Sequence, residues 1–347
     1  MKILKQIKIS VSFLAPLFLT TGCVGNTNDN TQNYDTDTVV GAYIWYGCPD
    51  TIKIEAQYFT HLYMSFAQIN DQYNGLVLPA DAFMRKCAAL KESYPDLKVL
   101  LSIGGANAYG FSEMAADSLK RLSFAKDCKR VVEEYGIDGI DVDWEVPGNW
   151  NELLCEDWYN NVKMLRDIRA QIGVDKVLTI ASPSNLAGIM VDRVLPYIDF
   201  INVMSYDMGA APHHHTAMYR SDKAGCATVE ETLKFYIDRG VPKNKIVMGL
   251  AFYGRSDNIS YPGWTEYGKL QLREGDTEHW DDIAKVPYIT DSEGNLVLGY
   301  ENPRSLEIKC NYIKEQGLRG AMYWRYANDD EHGSLRRTVA RCMLGVE

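Results

Sequence analysis

The stretch Asp138-Gly-Ile-Asp-Val-Asp-Trp-Glu145 puts a carboxylate at three successive alternate positions. In an extended strand alternate residues share a face, so Gly139, Asp141, Asp143 and Glu145 point one way and Ile140, Val142 and Trp144 the other. Neighbours two apart stand only about 6.6–6.8 Å from each other along the strand. Like charges that close raise each other's pKa, so part of the row keeps its protons near neutral pH. Such a row gives a strand nothing as packing, whereas a shared proton in a row ending on a Glu is the equipment of a general acid. Asp138 has the opposite parity and reads as a structural brace at the start of the strand.

Positioning the row falls to an alternation of strand-like and helix-like segments from residue 39 onward. Strand patterns occur at 39–45, 61–66, 98–103, 139–145, 177–182, 200–206, 246–252 and 320–325. Helical periodicity fills 80–93, 112–135, 150–172, 228–239, 304–316 and 330–342. Eight such units over about 300 residues predict an α/β fold, a closed (β/α)8 TIM barrel in a single catalytic domain, 39–347. The competing doubly wound sheet lacks its Gly-rich phosphate turn after the first strand. Residues 254–302, after the seventh strand, form the longest stretch without regular pattern and hold Trp264, Tyr267, Trp280, Tyr288 and Tyr300. They are expected to be an elaborated loop with a function. Barrel enzymes carry their chemistry at the C-terminal strand ends. There lie Glu145, Ser102 with Gly104-Gly105, Met204-Ser-Tyr206-Asp207, and Trp324.

Ahead of the barrel, Lys2, Lys5 and Lys8 precede an apolar run at 9–19 that is too short to span a bilayer but suits a signal peptide, read as 1–22. Its end, Leu19-Thr-Thr-Gly-Cys23, resembles a bacterial lipobox. That predicts lipidation at Cys23, a polar tether over 23–38, and a protein exported to the cell envelope and held to a membrane by its lipid. The seven remaining cysteines are scattered and odd in number. Buried free thiols are the simpler reading, though an exported compartment permits a disulfide whose partners spacing does not reveal. A net charge of −10 leaves nothing to neutralise phosphates, which argues against a nucleic-acid partner. His213-His-His215 cannot converge on one ion from consecutive positions in regular structure and reads as a loop bordering the cleft. No metal and no cofactor is implied, and a monomer is expected.

The motifs Asp138-x-x-Asp141-x-Asp143-x-Glu145, Ser102-Ile-Gly-Gly105, Met204-Ser-Tyr206-Asp207, Phe252-Tyr-Gly-Arg255 and Met-Tyr-Trp324 together resemble glycoside hydrolase family 18, in order along 39–347. The family contains chitinases and endo-β-N-acetylglucosaminidases. The resemblance implies a retaining, substrate-assisted route in which the 2-acetamido oxygen of the sugar replaces an enzyme nucleophile. On that pattern Glu145 is the acid, Asp143 orients the acetamido group while sharing a proton with Asp141, and Tyr206 hydrogen-bonds the acetamido carbonyl. Trp324 forms the floor under the sugar and Asp207 supports that end of the site. Ser102, Met204, Tyr43 and Phe66 complete the substrate side. Ser102 is read there as a small hydrogen-bonder to the Asp cluster, since no His is placed to make it a nucleophile.

In many chitinases of the family an aromatic follows the Trp-Glu pair, but here it is Val146. Their larger members also insert an α+β subdomain after the seventh strand. Residues 254–302 are shorter than that, so a shallower cleft and endo action are expected. Three functions compete: a chitinase acting on β-1,4-linked N-acetylglucosamine, an endo-β-N-acetylglucosaminidase cutting N-glycan chitobiose cores, and a sugar-binding lectin. The presence of Glu145 with both aspartates weighs against the lectin.

Overall fold

A computed structural model of the chain describes residues 37–48, 52–147, 155–185 and 189–346. The predicted signal segment, Cys23 and all of the tether but its last two residues lie outside the described residues, as does the predicted helix start at 150–154.

Eight parallel strands close a ring: Val39–Trp45, His61–Ile69, Lys98–Gly104, Gly139–Asp143, Val177–Pro183, Phe200–Met204, Ile246–Ala251 and Gly320–Trp324. Closure is made by the first strand, which pairs with the eighth through Val39 and Gly320 and with the second through Gly41 and His61. Parallel strands covered on both faces must be apolar at both parities. Here Val40, Ala42, Ile44, Val99, Leu101, Ile140 and Val142 point outward under the helices. Val39, Tyr43, Tyr63, Leu100, Phe200, Val247 and Met322 fill the interior. The expected barrel is therefore the one found, with helices around it in sequence order.

Helix ends follow local chemistry. The pattern at 112–135 is two helices, Phe111–Ala116 and Ser118–Tyr135, rather than one. Asp117 between them is extended, and its carboxylate accepts from the amides of Leu119 and Lys120, so it caps the second helix instead of continuing the first. The last helix begins at Ser334, not 330, because Asp329 and Asp330 turn their carboxylates onto the amides of Ser334, Leu335 and Arg336.

Residues 254–302 correct the expectation of an irregular loop. With Tyr253 they fold into a five-stranded antiparallel sheet in the order Trp264–Glu266, Tyr253–Ser256, Leu296–Gly299, Val286–Thr290, Thr277–Asp281. Strands of three to five residues are too short to display a period, and Pro287 interrupts the pattern. The turns were nonetheless written in the chain. Asp281 accepts from the amides of Ile283 and Ala284, and Asp291 from those of Glu293 and Asn295. Tyr261, Ile289, Val297, Leu298 and Tyr300 give the sheet a small core of its own.

Candidate active site

The fourth strand ends at Asp143, so Glu145 stands two residues past the last strand residue rather than on it. Its neighbour strand fixes that position. Gly104 and Gly105 end the third strand with φ of 117° and 92°, and the Gly105 amide donates to the Asp143 carbonyl at 2.9 Å. A Cβ on Gly104 would lie 2.1 Å from that carbonyl oxygen, and one on Gly105 2.7 Å from the Phe66 ring. The Gly-Gly pair is thus a close-approach seam that sets both the acid strand and Phe66.

Asp141 is completely buried and accepts four hydrogen bonds: from Tyr43 Oη at 2.9 Å, Ser102 Oγ at 2.7 Å, Thr179 Oγ1 at 2.6 Å and Asn202 Nδ2 at 3.2 Å. Burial pushes its carboxyl up, and the four donors pull against that. Asp143 is buried too, but its Oδ1 has no hydrogen-bond partner among the described residues. Burial, then the charges of Glu145 and Asp141, push it well above the carboxylate range. Of the two, Asp143 is the more strongly raised. Glu145 is half-buried, and burial followed by the charge of Asp207 raises it from 4.5 to about 7.

Asp207, at φ 56°, behaves differently. Burial of its carboxyl would raise it, but His215 Nδ1 at 3.6 Å, Arg255 Nε at 3.3 Å and the nearby Tyr253 outweigh that and hold it below the usual value. One carboxyl held low therefore faces a row of acids that are pushed up.

A cavity of about 130 Å³ collects these groups. Asp143, Glu145, Tyr206, Asp207, Met204, Tyr43, Phe66 and Trp324 all line it. Phe66 stacks on Trp324 with centroids 5.4 Å apart, and Tyr43 meets the same indole edge-on at 5.9 Å, giving an apolar wall suited to a sugar face. The Tyr206 hydroxyl has only the Met322 thioether, at 4.0 Å, as a partner among the described residues, which leaves it available to a ligand. Ser102 does not belong with the substrate side. It is fully buried behind Asp141 and does not line the cavity, so its part is to hold that carboxylate. Asp138 braces the strand start, accepting from the Val99 amide and from Lys91 Nζ, both at 2.8 Å.

Several contributors escaped the sequence reading. Thr179 and Asn202 are single polar residues at inward parity in apolar strands, a signal that was available. Tyr253 and Trp264, stacked with centroids 3.5 Å apart, bring the antiparallel sheet to the cavity wall. The histidines diverge: His213 is exposed, His214 Nε2 lies 3.1 Å from Asp281, and His215 faces Asp207.

Residues 26–329 match the family model described as glycosyl hydrolases family 18. Chitinase A1 of Niallia circulans is 30% identical over 291 residues, covering 69% of this chain and 42% of its own length. An endochitinase of Manduca sexta is 30% identical over 345 residues, covering 83% of this chain and 61% of its own. The chain thus spans about half the length of these relatives. Among solved structures, the multi-modular cell-surface chitinase ChiW of a Paenibacillus species superposes with a TM-score of 0.81 at 30% identity, over 88% of this chain and 42% of that one. An N-acetylglucosaminidase of Paenibacillus barengoltzii gives 0.78 at 29% identity, over 88% of this chain and 99% of that one.

Proposed function

The chain belongs to glycoside hydrolase family 18, and from that premise we propose that it is a retaining hydrolase of β-1,4-linked N-acetylglucosamine in chitin or chitooligosaccharides, working by substrate-assisted catalysis. The observation that carries this reading is the meeting, in one cavity, of a half-buried Glu145 pushed up to about 7 and a Tyr206 hydroxyl with only the distant Met322 thioether as a partner among the described residues. Glu145, protonated in the resting site, delivers its proton to the glycosidic oxygen as the bond to C1 breaks. The acetamido oxygen closes on C1 and forms an oxazolinium ion. Asp143 and the Tyr206 hydroxyl hold that acetamido group, and Trp324 lies under the ring. Glu145, now a carboxylate, takes a proton from the incoming water, which opens the oxazolinium with net retention.

The similarity to an N-acetylglucosaminidase supports a second reading on the same machinery, release of single N-acetylglucosamine units from chain ends. Cutting of N-glycan chitobiose cores is a third. Digesting chitohexaose beside a high-mannose glycoprotein and weighing the products separates them. Internal oligomers support the first reading, monomer alone the second, and glycan release without chitohexaose cleavage would overturn both. We further propose that Cys23 carries a lipid that holds the protein at the cell envelope. Incorporation of labelled fatty acid, lost on Cys23→Ala, tests it.

A further inference from the structure

A second cavity, of about 460 Å³, opens on the other side of Glu145. Residues 106–113, which follow the third strand, line it together with Trp144, Glu145 and Val146. Ala106 and Glu145 also line the catalytic cavity, so the acid stands on the boundary between the two. Backbone geometry fixes the loop that walls the second cavity. The Ala108 amide donates to the Gly105 carbonyl at 3.0 Å, and Asn107 and Gly110 take φ of 65° and 84°. A Cβ on Gly110 would lie 2.9 Å from the Tyr73 ring, so a glycine lets the loop lie against the turn that follows the second strand. Three of the described lining residues are aromatic. Phe111 and Trp144 stack on each other with centroids 5.0 Å apart, and both are buried. Tyr109 is 57% exposed, and its hydroxyl donates to Asp71 Oδ1 in that turn at 3.4 Å. Its ring is thus tied at the rim while its surface stays open to a ligand.

Resting on the reaction proposed above, we infer that this cavity receives the leaving part of the saccharide and that Tyr109 is the platform on which one of its sugars stacks. With the acetamido sugar held by Asp143, Tyr206 and Trp324 in the catalytic cavity, the glycosidic oxygen lies at Glu145. The chain beyond that oxygen continues past the acid into the second cavity. A pyranose carries C–H groups on its faces and hydroxyls on its edge, so it packs on an aromatic face while hydrogen-bonding sideways. Tyr109 is the ring free to take it, because Phe111 and Trp144 are buried against each other. Val146, on the same wall, is buried and aliphatic. Stacking on Tyr109 adds affinity for the leaving sugars without touching the reacting atoms, so the residue sets which substrates bind rather than how the bond breaks.

Two substrates separate this contact from the chemistry. Chitohexaose departs with leaving sugars, whereas chitobiosyl fluoride offers the same acetamido sugar and releases only fluoride. Tyr109→Ala should lower the ratio of kcat/KM on chitohexaose to kcat/KM on the fluoride by roughly 10-fold, with the loss carried mainly by KM for chitohexaose. Tyr109→Phe keeps the ring and should restore most of that ratio. A ratio unchanged in Tyr109→Ala overturns the inference, as does a loss in Tyr109→Phe as large as that in Tyr109→Ala, which would assign the effect to the hydroxyl. The ring is exposed, so Tyr109→Ala should melt with the wild type, and a clearly lower midpoint would make the residue structural instead. A wild type that turns over neither substrate defeats the proposed reaction itself. Turnover of both with no change of ratio in Tyr109→Ala defeats the role of Tyr109 alone.

Discussion

Asp207→Asn is the most informative single perturbation of the site. Glu145 is raised from 4.5 to about 7, so by about 2.5 pH units, with burial the larger cause and the Asp207 anion the second. Asp207's share is therefore under half, about 1.2 pH units at most. An acid catalyst works only while protonated, so kcat/KM is full below its pKa and falls tenfold per pH unit above it. Neutralising Asp207 should move that basic limb from about 7 down to no lower than about 5.8. At pH 7 the protonated fraction drops from about one half to no less than about 6%, a loss of at most ~8-fold, while at pH 5 both forms are mostly protonated. The assay is a pH series of kcat/KM on a fluorogenic chitobioside, reading the position of the limb rather than its height. Position separates the electrostatic effect from any contact Asp207 makes with the sugar. A limb that stays at 7, or moves upward, would refute the assignment of Glu145's raised pKa to Asp207. A limb that falls to 4.5 would refute the larger share given to burial.

Three other outcomes are expected. Glu145→Gln should lower kcat by about 10²–10⁴ with ligand affinity largely retained, and residual turnover near wild type would remove it from the acid role. Tyr206→Phe should reduce kcat by roughly 10- to 100-fold without shifting the melting temperature, because its hydroxyl has only a weak protein partner; a fall in Tm instead would show a structural role. Lys309→Met should cost about 3–5 kcal/mol in urea unfolding. It strands Glu301 as a buried carboxylate without its partner, both residues being essentially unexposed. The double change with Glu301→Leu should recover most of that loss, and two additive losses would count against a coupled pair.

The barrel and the acid row were legible because each has a period. Alternating aspartates on an otherwise apolar strand have no packing explanation, and eight strands with helices between them admit few folds. Asp138 could be set apart by parity alone, and it does brace the strand. What stayed hidden lacked a period or depended on long-range meeting. The stronger rise of Asp143 over Asp141 follows from Thr179, Asn202, Tyr43 and Ser102 converging on the Asp141 carboxylate from four other strands. Ser102, read as a small hydrogen-bonder to the Asp cluster, does hold Asp141, but from behind it rather than on the sugar side. Trp264 and Tyr253 reach the cavity only because 254–302 is a sheet, and strands that short leave no amphipathic trace.

The ring also sets when the protein can exist at all. Its first strand hydrogen-bonds to its last, so the chain emerges from the ribosome with Val39 waiting for Gly320, nearly the whole domain later. Until then both borders of the growing sheet are open, and such borders template association with other chains. Contacts that distant in sequence also form slowly. Tyr43 and Trp324, which meet edge-on in the cavity, come from those two strands, so no nascent or truncated form carries a finished site. A chain cut before Gly320 would be a burden for chaperones and proteases rather than a weak enzyme, and competence arrives in one step with the last strand.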